Sequence, residues 1–243
     1  MYQKFIKRPL DTAFALVIFL VTLPVGIVIA VIIKLESKGP VFFRQQRIGM
    51  NIRTFTIYKF RTMRTDAPKL PPNKFKDVNK YITKSGAILR KTSLDELPQL
   101  FNVLNGDMSI VGPRPGAAQN EDELIVERQK YGVFDVRPGI TGWAQVNGRD
   151  ELAASVPHKV AYDAEYVENL SLIMDLKCLY KTILTVLKSD GYNEGIVSDA
   201  IKQPRIAVNQ QPMFYAELPS QAGKNSKRSV VRHQNITKSE KNN

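Results

Sequence analysis

The sequence predicts a helix-rich α+β domain held at a membrane by its N-terminal segment. An apolar run of about 21 residues from Ala13 to Ile33 is long enough, at about 1.5 Å per residue, to reach across a hydrocarbon core. Two short alternating runs, residues 41–48 and 52–60, flank Gly49-Met50-Asn51 and read as a β-hairpin. The later segments carry helical periodicity without strand–helix–strand alternation, which argues against a parallel α/β sheet.

Composition narrows the function. Thirty-five Lys and Arg against 23 Asp and Glu give a formal charge of +12 over 243 residues, which suits a polyanionic partner: lipid headgroups, phosphorylated substrates or nucleic acid. A single cysteine, Cys178, excludes a disulfide framework and a thiolate metal centre, and His158 and His233 are too few and too far apart for a histidine zinc site.

The apolar run carries Pro24 at its middle, where proline removes a helical hydrogen bond and crowds the preceding turn. A bend there gives two halves of about ten residues, each reaching only ~15 Å. Lys4, Lys7 and Arg8 precede the run and Lys34, Lys38, Arg44 and Arg47 follow it. Basic residues at both ends favour the same face of the membrane, which a re-entrant hairpin satisfies, while a proline-kinked spanning helix satisfies the length.

After the hairpin, Lys59, Arg61 and Arg64 concentrate positive charge at its end, and proline-rich residues 66–84 read as an irregular loop. Ser93 followed by Glu96, ahead of Leu97, Leu100, Phe101 and Leu104, has the form of a capping box opening an amphipathic helix that stops at Asn105-Gly106. At such a helix start Asp95 and Glu96 would be held ionised beside free N–H groups, an arrangement suited to phosphate and to a carboxylate nucleophile. Arg90 and Lys91 lead into it.

Two rigid loops follow. Pro113-Arg114-Pro115 frames one arginine between prolines, and Arg137-Pro138-Gly139 repeats the device ahead of the only tryptophan, Trp143; each suits a fixed anion contact. A charged helix is predicted near 119–130, and two more at 162–169 and 172–187, the last amphipathic and carrying Asp175 among apolar residues. Residues 191–243 turn polar and basic and read as a disordered tail, which divides the chain into a membrane helix (1–38), a catalytic domain (39–190) and a tail.

Lys7-Arg8 with Asp11, the proline-interrupted apolar run, Tyr58-Lys59-Phe60-Arg61-Thr62-Met63, Ser93-Leu94-Asp95-Glu96-Leu97-Pro98-Gln99, Val111-Gly112-Pro113-Arg114-Pro115 and Arg137-Pro138-Gly139-Ile140-Thr141-Gly142-Trp143 occur in this order. Together they resemble the bacterial sugar transferases, the monotopic phosphoglycosyl transferases, over roughly residues 1–190. In size the chain is similar to the small stand-alone members that begin protein glycosylation. The resemblance implies transfer of a phosphosugar from a UDP-sugar to polyprenyl (undecaprenyl) phosphate, with release of UMP. It implies Asp95 as nucleophile through an aspartyl phosphosugar, Glu96 beside it in binding metal or activating the acceptor, and Mg²⁺ on both carboxylates. Lys59, Arg61, Arg90, Arg114, Arg137 and Asp175 are implied as substrate-binding residues and Pro24 as the break of a re-entrant helix. The implied location is the cytoplasmic face of the bacterial inner membrane, with downstream glycosyltransferases as possible partners and no nucleic acid. The alternative is an inactive relative that binds anionic lipid or UDP-sugar.

Overall fold

The computed structural model describes residues 2–68, 78–117, 122–148 and 156–187, and its longest described helix, α1 (Arg8–Glu36), is entered through a π-helical turn at Tyr2–Lys7. Its 29 residues span about 44 Å. Pro24 lies inside this helix and does not end it, so the break expected there is absent from the secondary structure. The Thr22 hydroxyl bonds back to the Ile18 carbonyl in the turn before it.

One stripe of α1 faces the rest of the domain from end to end. Asp11, Ala15, Ile29 and Ile33 are buried, and Ile18, Phe19, Thr22, Gly26 and Ala30 are half-buried between them, a spacing of three and four residues that marks a single helical face. The other faces, among them Phe14, Val17, Leu20, Val21, Ile27, Val28, Val31 and Leu35, are exposed and apolar. By length and composition the helix is able to cross a membrane. What it packs on is the same at both ends: a folded domain.

The hairpin consists of β1 (Phe42–Ile48) and β2 (Thr54–Phe60), antiparallel with Phe42 opposite Phe60 and Ile48 opposite Thr54. Asn51 and Ile52 take positive φ in the connecting turn. The second edge of β2 meets a side chain in place of a third strand: Asn102 accepts from the Tyr58 N–H (3.2 Å) and donates to the Thr56 carbonyl (2.7 Å). Helix α2 (Lys84–Thr92) is capped twice at its start. Thr83 accepts from the Gly86 N–H, and Glu36, at the end of α1, accepts from the N–H groups of Lys84 and Ser85. Arginine occupies the same end of α1: buried Arg61 donates to the carbonyls of Ile33, Ser37 and Lys38.

Helix α3 (Gln99–Asn105) ends as the sequence predicts, with Gly106 left-handed at φ 93°. Beyond it β3 (Ser109–Val111) pairs in parallel with β4 (Gly139–Thr141), a pairing the sequence pattern did not suggest, since both segments are only three residues long. Glycine makes it possible. A Cβ on Gly139 would lie 2.1 Å from the Gly112 nitrogen, and one on Gly112 would lie 2.4 Å from the Arg137 carbonyl oxygen. The two proline-framed loops are thereby held backbone to backbone.

Helices α4 (Asp122–Lys130), α5 (Trp143–Gly148), α6 (Val156–Glu168) and α7 (Leu172–Leu187) complete the described fold. A buried ion pair joins α4 to α6, with both nitrogens of Arg128 on one oxygen of Asp163 (2.9 and 2.6 Å). The main core lies between α1, β2, α3, β3 and α7 and centres on Ala15, Val103, Met108, Tyr166 and Cys178. A second cluster of Ile29, Ile33, Phe60 and Leu89 takes Leu94 and Leu97 against helix α1. Residues 69–77 of the 66–84 loop and all of the predicted tail lie outside the described residues.

Gly139→Ala forces a methyl group into backbone with no side chain to yield. It should lower stability by about 3 kcal/mol, the upper end for overpacking, measured by thermal or chemical denaturation in detergent.

Candidate active site

Asp95 and Glu96 sit on a 3-10 turn, Leu94–Glu96, between α2 and α3. The predicted capping box does not form. Ser93 is left-handed (φ 57°) and closes α2, its side chain makes no cap hydrogen bond to the turn that follows, and α3 begins only at Gln99. An N-cap requires extended backbone, so a left-handed Ser93 cannot act as one. Glu96, assigned by sequence to reach back toward Ser93, turns to two cations.

Lys59, carried by β2, donates from Nζ to Glu96 Oε1 at 2.8 Å. Arg114, held between its two prolines at the exit of β3, donates to the same oxygen at 2.7 Å and approaches Oε2 at 3.5 Å. Arg90, on α2, adds its field to Asp95 while its Nε donates to Thr62 Oγ1 at 3.0 Å. Cations from three segments, β2, α2 and the exit of β3, thus converge on two adjacent acids.

The two carboxylates differ in state. Burial works against ionisation of Glu96, but Arg114 and Lys59 outweigh it and hold the carboxyl well below the ordinary range. Asp95 is pushed up by burial first and by neighbouring Glu96, with Lys59, Arg114 and Arg90 opposing. Burial likewise lowers Lys59, with Glu96 opposing. Among the described residues Asp95 accepts no side-chain hydrogen bond, so its oxygens are uncommitted while those of Glu96 are taken.

Three residues expected at this site make their described contacts elsewhere. Arg61 caps the C-terminus of α1. Arg137 donates to the Gly106 carbonyl (2.9 Å) at the end of α3, where Arg8 holds the carbonyls of Val103 and Leu104 (2.6 and 3.2 Å). Asp175 is buried in a separate network, accepting from Tyr2 (2.5 Å), Lys7 (2.7 Å) and Tyr166 (2.7 Å), with Asp11 bound to Ser109 (2.5 Å) next to it. That network ties the start of α1 to β3, α6 and α7. Sequence reasoning also passed over Asn102, whose signal was an amide three residues from Gln99 in an otherwise apolar helix.

A family model for bacterial sugar transferases matches residues 2–189. The chain belongs to the bacterial sugar transferase family. Among its relatives, this sugar transferase is 42% identical over 189 residues to the UDP-N-acetylgalactosamine-undecaprenyl-phosphate N-acetylgalactosaminephosphotransferase of Aeromonas hydrophila, covering 77% of this chain but only 45% of that protein. It is 42% identical over 189 residues to the uncharacterized sugar transferase EpsL of Bacillus subtilis, covering 78% of this chain and 91% of the relative. It is 39% identical over 185 residues to the UDP-glucose:undecaprenyl-phosphate glucose-1-phosphate transferase of Escherichia coli, covering 74% and 40%. This sugar transferase therefore spans less than half the length of two of these three relatives.

Because the folded carboxyl of Glu96 lies below its ordinary value of 4.5, the ion pairs it forms stabilise the fold above that pH and are lost as pH falls below it. In thermal melts from pH 7 down to 3, Glu96→Gln should remove part of the acid-side loss seen in the wild type.

Proposed function

We propose that this protein transfers a phosphosugar from a UDP-sugar to polyprenyl phosphate through a covalent intermediate on Asp95. The observation that carries this is the unequal pair: Asp95, a carboxylate that accepts no side-chain hydrogen bond among the described residues, beside one that is fixed, Glu96, with Lys59, Arg90 and Arg114 around them. The relatives named for transfer onto undecaprenyl phosphate support the acceptor and the reaction class.

In the first half-reaction an oxygen of ionised Asp95 bonds to the sugar-bearing phosphorus, the bond from that phosphorus to the bridging oxygen breaks, and UMP leaves with the electron pair. In the second, an oxygen of polyprenyl phosphate bonds to the same phosphorus and Asp95 departs as a carboxylate, giving the polyprenyl diphosphate sugar. One site handles two phosphates in turn, which suits a nucleophile whose protein partners are all on its neighbour. Glu96, kept ionised, is a weak base; it orients Lys59 and Arg114 toward the charge that develops on phosphate.

Among the described residues no group of three or more His, Cys, Asp or Glu side chains converges as a metal cage. Magnesium fits the residues present, because it commonly uses one or two carboxylates with substrate phosphate oxygens completing its shell, and Asp95 with the less engaged Oε2 of Glu96 offers that donor set. When bound it would neutralise charge on the diphosphate. The arginines and Lys59 bind and orient the same groups from the protein side.

The attachment of α1 supports a monotopic arrangement on the cytoplasmic face. Its start is bound through Lys7, Arg8 and Asp11, and its end through Ile33, Glu36 and the Arg61 cap, all to one domain. A helix that left this domain to cross a bilayer could not keep both sets of contacts in water.

Two measurements test these statements. With Mg²⁺, polyprenyl phosphate and a panel of UDP-sugars, Asp95→Asn should release UMP at below about a thousandth of the wild-type rate while its melting is unchanged; turnover retained in this variant removes Asp95 as the nucleophile. In a Cys178→Ser background, cysteines placed at Lys4 and Lys38 should be labelled equally from the cytoplasmic side of the membrane. Protection of the Lys4 site alone would mean a spanning helix.

A further inference from the structure

Gln99 is buried to 1% exposure, yet its side-chain Nε2 has no hydrogen-bond partner among the described residues. Buried amides are normally paired, and one left unpaired is costly, so a group that receives this donor at some stage of the protein's work is called for. Its position in the chain says which group. From Ser93 to Phe101 the backbone is held by bonds to the third residue back: Glu96 to Ser93, Leu97 to Leu94, Leu100 to Leu97 and Phe101 to Pro98 (3.1–3.3 Å). At this tight winding residues three apart stack over one another.

Glu96, Gln99 and Asn102 therefore share a face, and the outer two both reach β2, at Lys59 and at Thr56 and Tyr58. Gln99 lies between them, one turn below the acids. Asp95 is on the same turn as Glu96, about a third of a turn round from the face that Gln99 shares, so the Gln99 amide would swing from beneath Glu96 to meet it. Among the described residues the two groups are complementary: a donor without an acceptor, and a carboxylate that accepts no hydrogen bond.

We infer that Gln99 is a positioning residue for Asp95, its amide donating to the carboxylate oxygen that does not attack. This rests on the functional reading above. When one Asp95 oxygen bonds to phosphorus and UMP leaves, the other becomes the carbonyl oxygen of the acyl phosphate. An N–H held on that oxygen fixes the rotamer before attack and the carbonyl afterwards, and it draws electron density from the acyl group when polyprenyl phosphate displaces it. No proton moves to or from Gln99 in either step.

The inference separates activity from stability. Gln99→Leu and Gln99→Met remove the donor and leave an apolar side chain of similar size, which should keep or raise the melting temperature, because a buried unpaired amide has been lost. In the UMP-release assay kcat should fall about tenfold to a hundredfold, the effect of losing a hydrogen bond to a charged acceptor, with KM for the UDP-sugar within about twofold of wild type. With Asp95→Asn inactive in parallel, wild-type kcat in both Gln99 variants would overturn the positioning role alone. A fall in kcat that comes with a lower melting temperature in both variants would also overturn it, in favour of a structural amide. A wild-type protein that is folded and silent across the UDP-sugar panel would overturn the functional reading and this inference together.

Discussion

The shared bridge of Glu96 to Lys59 and Arg114 is the contact on which the arrangement of this molecule depends. It joins the hairpin, the turn between α2 and α3, and the proline-framed exit of β3 at one point. A half-buried carboxylate with two cations is worth more than a surface pair because little water competes for it, and removing either cation leaves charge behind. The bridge also decides the chemistry of its neighbour. By absorbing Lys59 and Arg114, Glu96 leaves Asp95 surrounded by positive potential but bonded to none of it.

Much of the fold was legible in the sequence because local patterns carried it. The hairpin follows from alternation around Gly49-Met50-Asn51, α7 occupies Leu172–Leu187 as its periodicity indicates, and Gly106 ends α3 where it should. The parallel pair β3–β4 escaped notice because its cause is a close approach of two distant glycines, which no local period records. The turn at Ser93 escaped for a related reason: a serine three residues before a glutamate has the form of a capping box in either backbone conformation, and only the left-handed one was taken up.

Site residues were legible in proportion to how few partners each could have found. Lys59, Glu96 and Arg114 come together as the order of motifs suggested, with Arg90 near them. Arg61 and Arg137 did not, and the reason is physical. The last carbonyls of a helix are a concentrated negative end, and a guanidinium satisfies them as well as it satisfies phosphate. A basic residue in a rigid loop therefore has two good destinations. Here the ends of α1 and α3 took Arg61, Arg8 and Arg137, and these contacts show that binding substrate is not the only use a rigid arginine can have. Asp175 was similarly claimed by Tyr2, Lys7 and Tyr166.

Leu94 and Leu97, the residues on either side of the acid pair, pack against the cluster formed by Ile29 and Ile33 of α1. The acids are thus mounted on the apolar helix itself, with no intervening layer of protein. On the proposed reading, a lipid-borne phosphate arriving beside α1 would have almost no vertical distance to travel, and a soluble donor would come down to it. The height of the proposed reaction above the hydrocarbon would then be set by two leucine side chains, so that a change in their size would alter access for the lipid and for the nucleotide in opposite senses.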